Sequence, residues 1–182
     1  MKATGIVRRV DELGRLVIPK EIRRTMRLAE GTPLEIFTDR EGQIILKKYS
    51  PMMELGSFAK QYAESVAQTM NQKVAVSDRD QIIAVAGGGN RELLGKTISR
   101  QLEEMIINRE NSIQAGLDKK TIPLISGDED SYSAQAIYPI CCEGDCIGAV
   151  ILYSRENQTH FSETEYKAAA CAASFLGKQM EG

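Results

Sequence analysis

The sequence predicts an α+β protein of two domains, residues 1–50 and 51–182. Residues 1–50 hold eleven Lys and Arg against seven Asp and Glu, a net charge of +4, whereas residues 51–182 carry a net charge of −6. The first part contains short apolar runs separated by turn residues, which is typical of strands. In the second part, apolar residues spaced by three and four alternate with strand-like runs, which indicates helices packed on a sheet.

The composition also excludes some classes of protein. No stretch of about 18 apolar residues is present, so we expect no membrane partner. The first residues, MKATGIVRRV, lack the apolar centre of a secretory signal. We therefore expect a cytoplasmic protein in which the four cysteines are free thiols, since a reducing compartment disfavours disulfides.

The basic part begins with two extended runs and a helix. Residues 6–10 and 15–18 are β-type runs joined by a turn at Gly14. Proline suits the first helical position, so Pro19 predicts a short helix to Met26 in which Ile22 and Met26 face inward.

A hairpin follows, with strands at 33–39 and 43–49 and a turn at 40–42. These strands are too short, and the domain too small, to close a sheet from one chain. Pairing with a second copy would remove the open edges. The sequence thus predicts an interleaved homodimer through residues 1–50.

Five arginines flank the turn and the helix of this domain: Arg8, Arg9, Arg15, Arg23 and Arg24. Guanidinium groups bind phosphates bidentately and read guanine edges. A solvated basic surface would show the same pattern. Charge alone therefore leaves nucleic-acid binding and simple solvation open.

A resemblance favours nucleic acid. The domain contains the run TGIVRRVDELGRLVIPKEIRRTMRL, followed by LEIF and IILKKY. It closely resembles the swapped-hairpin DNA-binding domain of AbrB-type transition-state regulators, in which two chains form one β-barrel. The resemblance implies that Arg8, Arg15, Arg23 and Arg24 bind double-stranded DNA, with Arg9 and Lys2 as helpers. Antitoxins share that fold, and an antitoxin would require a toxin partner.

The acidic part predicts an antiparallel sheet flanked by helices. Ser162 and Glu165 form a capping-box pattern at the start of the last helix. The predicted elements are a helix at 53–71, strands at 73–77 and 81–86, a helix at 92–108, a strand at 121–126, a hairpin of 133–142 with 146–155, and a helix from 162. The alanine-rich last helix is expected to pack on residues 53–70 or on their copies in another subunit.

This second domain resembles GAF sensory domains in SDRDQIIAVAGG, RELLGKTIS, YPI and GDCIGAVILYS. The resemblance implies a small-molecule ligand between sheet and helices, lined by Tyr132, Tyr138 and the loop 87–89, or a pocket filled by the domain's own side chains. The two domains in this order resemble a family of tetrameric sporulation transcription factors. That resemblance implies assembly through the C-terminal helices.

Catalytic and metal motifs are weak. Gly89 and Gly95 are separated by five residues instead of the four of a P-loop, and Gly95-Lys96-Thr97 falls in the predicted helix. Cys141, Cys142 and Cys146 lack the partners of a zinc site. We expect no metal and no cofactor.

A thiol-based redox enzyme on a GAF-like fold is the main rival. It needs a thiol of low pKa, which the acidic neighbours Glu143 and Asp145 oppose. We therefore predict a nucleoid-associated regulator of sporulation genes, not an enzyme, that activates some genes and represses others. Its C-terminal domain would modulate assembly or sense a signal. The alternative is a redox enzyme or metabolite sensor whose first 50 residues serve only for assembly.

Overall fold

The computed structural model describes residues 4–49, 56–88, 91–115, 121–128, 132–156 and 159–181. The chain divides into two compact units, Met1–Tyr49 and Ser50–Gly182. We call them the N-terminal unit and the C-terminal unit and describe each by itself.

The N-terminal unit contains one short helix and one hairpin. Helix α1 spans Lys20–Thr25 with Pro19 at its N-cap. Strands β1 (Leu34–Thr38) and β2 (Ile44–Lys48) pair antiparallel. In the turn between them, the Asp39 carboxylate accepts hydrogen bonds from the backbone amides of Glu41 and Gln43, at 3.0 and 2.9 Å. The predicted helix and hairpin are confirmed, but Met26, which was predicted to face inward, is the C-cap residue of α1 and is 43% exposed.

The two extended runs before α1 do not form strands in this unit. Across residues 4–49, the only paired strands are β1 and β2. Residues 6–10 and 15–18 therefore lack a ladder within one chain, and the prediction of strands there is wrong for the chain taken alone. The physical reason is that strand formation needs an adjacent strand to pair with.

The C-terminal unit is built on a five-stranded antiparallel sheet of order β4-β3-β7-β6-β5. Its elements are α2 (Gly56–Met70), β3 (Lys73–Asp78), β4 (Ile82–Ala86), a 3₁₀ turn (Arg91–Leu93), α3 (Arg100–Ile107), β5 (Ser112–Ala115), β6 (Ala134–Cys142), β7 (Asp145–Ser154) and α4 (Glu163–Lys178). The predicted antiparallel sheet with flanking helices is confirmed.

Both faces of this sheet are buried. Successive side chains of a strand point to opposite faces, so Val74 packs in one core with residues of α2 and α4, such as Leu176. Ala75 packs in a second core with Leu102 and Ile106 of α3. Each face therefore carries a separate apolar core.

Helices α2 and α4 pack on each other. The Phe175 ring of α4 stacks on Tyr62 and Phe58 of α2, with centroids 4.9 and 5.8 Å apart. The predicted capping box is present, since the Ser162 amide donates to Glu165 Oε2 at 2.6 Å. The predicted contact between the last helix and residues 53–70 is confirmed within one chain; residues 53–55 lie outside the described residues.

The predicted helix at 92–108 is only half formed. Gly95 has φ of +74°, which no α-helix accommodates, and Thr97 bridges Gln81. The helix begins after Ser99, whose hydroxyl accepts a hydrogen bond from the Leu102 amide at 3.1 Å. Gly95-Lys96-Thr97 is therefore not helical, contrary to prediction. The predicted strand at 121–126 is reduced to an isolated bridge at Ile125, and β5 was not predicted.

The cysteines also differ from prediction. Cys141 and Cys146 stand opposite each other in the β6–β7 register, with Cα atoms 3.9 Å apart, and form a disulfide. Cys142 and Cys171 are free. The prediction of four free thiols is wrong for this pair because the tight hairpin brings the two residues together, which an argument from compartment does not consider.

Reducing this disulfide is expected to lower the free energy of unfolding of the C-terminal unit by about 2 kcal/mol, the value that loop closure gives for so short a loop. Five of the six tyrosines lie in that unit, so tyrosine fluorescence during urea denaturation, with and without dithiothreitol, measures the change. The double variant Cys141→Ser/Cys146→Ser is the control and should not respond to reductant. An unsubstituted protein that is equally indifferent would contradict the prediction.

Candidate nucleic-acid interface

The predicted arginines all lie on the surface of the N-terminal unit. Arg8, Arg9, Arg15, Arg23 and Arg24 are exposed, and the side chain of Arg15 is 71% exposed. Arg23 and Arg24 occupy the last turn of α1, where the helix dipole favours positive charge. Lys2 lies outside the described residues. Five guanidinium groups are thus accessible to a large anionic partner.

The turn that carries Arg15 is held by one carboxylate. Asp11 Oδ1 accepts hydrogen bonds from the backbone amides of Leu13 and Arg15, at 3.0 and 2.8 Å. Asp11 Oδ2 accepts from Arg15 Nε at 2.7 Å. Gly14, with φ of +74°, completes the turn by donating to the Asp11 carbonyl at 3.0 Å. The backbone of residues 11–15 and one guanidinium group are therefore fixed together.

These hydrogen bonds favour the ionised carboxylate. The Arg15 amide, and after it the Arg15 guanidinium, hold the pKa of Asp11 below its ordinary value. Sequence reasoning missed this contact. The signal was the Asp-x-x-Gly-Arg spacing, which places an acceptor four residues before an arginine.

Beside these charges, the N-terminal unit exposes apolar side chains. Val7 is 83% exposed, and Leu13, Val17 and Ile44 are each more than 70% exposed. A groove of about 280 Å³ crosses the unit, lined by Arg8 and by apolar residues that include Ile6, Leu16, Ile22, Leu34 and Leu46. Across residues 4–49 no residue is buried. The unit therefore has a basic surface but no closed core.

Tyr132 and Tyr138, predicted to line one ligand pocket of the C-terminal unit, pack in different cores. Tyr132 belongs to the core beside α3, where its hydroxyl donates to Asp128 at 2.5 Å; burial and this contact raise its pKa. Tyr138 packs on the opposite face, edge-on to Tyr166 at 5.5 Å. At Gly87 a Cβ would lie 2.3 Å from the Gln72 carbonyl oxygen. The lack of a side chain at Gly87 therefore lets its backbone lie close to the backbone of Gln72. Gly89 lies outside the described residues.

No helix in the described ranges is long and apolar enough to cross a membrane. Within those ranges there is also no cluster of three or more His, Cys, Asp or Glu that could hold a metal ion.

Family models match both units. Residues 54–181 match the family described as stage V sporulation protein T C-terminal, transcription factor. Residues 7–53 match the family described as antidote-toxin recognition MazE, bacterial antitoxin. The first match covers well over half of the chain.

Individual proteins agree with these matches. The chain is 49% identical over 181 residues to stage V sporulation protein T of Bacillus subtilis, covering 100% of this chain and 99% of that protein. It is 66% identical over 53 residues to the transition state regulatory protein AbrB of the same species, covering 29% of this chain and 54% of AbrB. The GAF domain of an Acinetobacter phosphoenolpyruvate-protein phosphotransferase superposes with a TM-score of 0.56 at 15% identity, covering 74% of this chain and 84% of that one.

An AbrB-like unit with exposed arginines, followed by a GAF-like unit, defines a DNA-binding regulator of transcription. Its second unit carries the antiparallel sheet and flanking helices of a GAF-like fold. The chain belongs to the stage V sporulation protein T family and is a regulator of sporulation transcription, not an enzyme.

Proposed function

We propose that residues 1–50 bind double-stranded DNA as a homodimer in which two chains interleave into one swapped-hairpin β-barrel. The observation that carries the proposal is the absence of any buried residue across positions 4–49. A segment of this size that buries so little apolar surface does not fold stably by itself. A partner must therefore cover the groove and the exposed apolar residues.

A second copy of the chain is the occupant that fits. The runs at 6–10 and 15–18 belong to no strand or sheet in the described unit. A second copy supplies matching runs, and a two-fold axis would let each complete the other's sheet. The 66% identity to AbrB over this unit supports the same arrangement.

In this dimer Arg8, Arg15, Arg23 and Arg24 would neutralise phosphates and reach base edges, with Arg9 and Lys2 as helpers. The four principal arginines occur twice in a dimer, so as many as eight phosphates are contacted. The logarithm of affinity should then fall against the logarithm of salt concentration with a slope approaching about −7. Sequence-dependent bending of the duplex supplies part of the selectivity.

Fluorescence anisotropy of a labelled duplex, titrated with the full chain at several salt concentrations, tests this prediction. The matched control is Arg100→Ala, which removes an 88% exposed arginine from the C-terminal unit and should leave the slope unchanged. A flat salt response of the unsubstituted chain would contradict phosphate binding, and monomers by analytical ultracentrifugation at binding concentrations would contradict the dimer.

In this proposal, the C-terminal unit joins two such dimers into a tetramer through α2 and α4. Phe58 on α2 remains 38% exposed beside the Phe175 stack, which supports a further apolar contact there.

Activation at some promoters and repression at others would follow from where the assembled protein binds. Mapping bound DNA and transcript levels in cells lacking the chain tests this, and also tests nucleoid association in the cytoplasm. A small-molecule ligand for this unit stays a prediction.

A further inference from the structure

We propose that Asp11 is a positioning residue for DNA recognition, whose carboxylate fixes the guanidinium of Arg15 so that its two terminal nitrogens face the duplex. This inference rests on the proposed function, specifically on contact between Arg15 and DNA. It assigns to an acidic residue on a basic surface a role opposite to the one its charge suggests.

The two oxygens of Asp11 perform different tasks. Oδ1 holds the backbone of the turn through the amides of Leu13 and Arg15. Oδ2 takes the Nε–H of Arg15 at 2.7 Å. A guanidinium has five N–H donors, and engaging Nε leaves the terminal Nη1 and Nη2 for a bidentate contact to a phosphate or a guanine edge.

Positioning matters because the side chain of Arg15 is 71% exposed. An exposed arginine samples many rotamers, and ordering it on binding costs conformational entropy. A guanidinium already fixed by Asp11 loses less entropy when DNA binds, which is the general benefit of preorganisation. The carboxylate also stays ionised in the free protein, because the Arg15 hydrogen bonds lower the pKa of Asp11.

Simple electrostatics predicts the opposite effect of Asp11 on the affinity for DNA. A carboxylate near phosphates repels them, so removing Asp11 should strengthen binding if its charge were all that mattered. The neighbouring Glu12 provides the comparison, since it is exposed, carries the same charge and lies one residue away. The two residues differ in that Asp11 holds Arg15.

The test uses the full chain and a short duplex selected from a random library by the unsubstituted protein. Asp11→Asn keeps an oxygen for the turn but replaces the acceptor of Nε by a donor. We expect it to weaken binding about tenfold at about 150 mM salt, because both copies in a dimer lose the contact. Glu12→Gln, the matched control, should bind as tightly as the unsubstituted chain or more tightly.

A double-mutant cycle then links the effect to Arg15. In the Arg15→Ala background, Asp11→Asn should have no further effect on affinity. If Asp11→Asn instead binds more tightly, as the control does, Asp11 merely repels DNA and the inference is wrong. An equal loss in the Arg15→Ala background would show that Asp11 acts through the turn alone, which also overturns it.

Two further measurements keep the outcomes distinct. Arg15→Lys preserves the charge and the turn but removes the guanidinium group that Asp11 holds. If this variant binds DNA as tightly as the unsubstituted chain, the inference is wrong. This result would count even if Asp11→Asn failed to fold, which circular dichroism would reveal. If Arg15→Ala itself binds as the unsubstituted chain does, the proposed contact of Arg15 fails. If Arg15→Ala is weak but Asp11→Asn is not, only the positioning role fails.

Discussion

Arg15→Ala and Arg23→Ala are each expected to lower the affinity of the chain for DNA by about 100-fold. Each arginine occurs twice in the proposed dimer, and a bidentate guanidinium contact contributes roughly 1–3 kcal/mol. Both side chains are exposed, so their loss removes contacts to DNA without opening a core. Anisotropy titrations on a selected duplex and on a duplex of unrelated sequence measure the loss.

The two duplexes separate the kinds of contact. If an arginine binds only phosphate, its substitution should weaken binding to both duplexes alike and make the salt slope shallower. If an arginine reads a base, its substitution should weaken mainly binding to the selected duplex. Arg40→Ala is the matched control, because Arg40 is an exposed arginine of the same unit outside the predicted contact set. If all three variants bind equally well, Arg15 and Arg23 do not belong to the interface.

Gly177→Ala is expected to destabilise the C-terminal unit by about 3 kcal/mol, as overpacking of a tight contact does. Gly177 lies in the last turn of α4, where alanine would ordinarily stabilise the helix by up to about 1 kcal/mol. Here, however, a Cβ would lie 2.3 Å from the Cys141 carbonyl oxygen of β6. Helix α4 would have to move away from the sheet, so the substitution lowers the stability of the unit instead of raising it.

Urea denaturation followed by tyrosine fluorescence measures this change. Gly56→Ala is the matched control, because Gly56 opens α2 and a Cβ there meets no atom within 4 Å. It should be neutral or stabilising by up to about 1 kcal/mol. Equal stabilisation by both alanines would show that α4 does not approach β6 this closely in solution.

Elements specified by neighbouring residues were predicted from the sequence. Pro19 precedes α1 as its N-cap, Gly42 closes the β1–β2 turn, and Ser162 with Glu165 caps α4. Each depends on local dihedral angles or on hydrogen bonds within a few residues, which hold wherever the segment lies. The alternation of apolar residues likewise predicted strands β3, β4, β6 and β7, but not β5.

Elements decided by distant contacts were not predicted. The apolar period of residues 92–108 continues across Gly95, but the bridge between Gln81 and Thr97 holds that stretch extended. The Cys141–Cys146 pair depends on hairpin register, which argument from redox compartment ignored. In both cases tertiary structure prevailed over a local or compositional rule.

The candidate interface was predicted in its charges but not in its geometry. Counting residues located the arginines, and the structure shows the five described ones exposed. The contact of Asp11 with Arg15 depends on the conformation of a five-residue turn, which a residue count does not contain. Residues 6–10 and 15–18 form no strand in the described chain; in the proposed dimer, a second chain would supply the strands that pair with them.

The lack of a buried core across residues 4–49 has a consequence for timing in the cell. In the proposed dimer, folding of the DNA reader and its association are one equilibrium, so the amount of competent reader rises with the square of the protomer concentration when protomers are scarce. Doubling a scarce supply of protomers would then quadruple the number of dimers able to bind DNA. The response of such a regulator to its own accumulation would therefore be steeper than proportional.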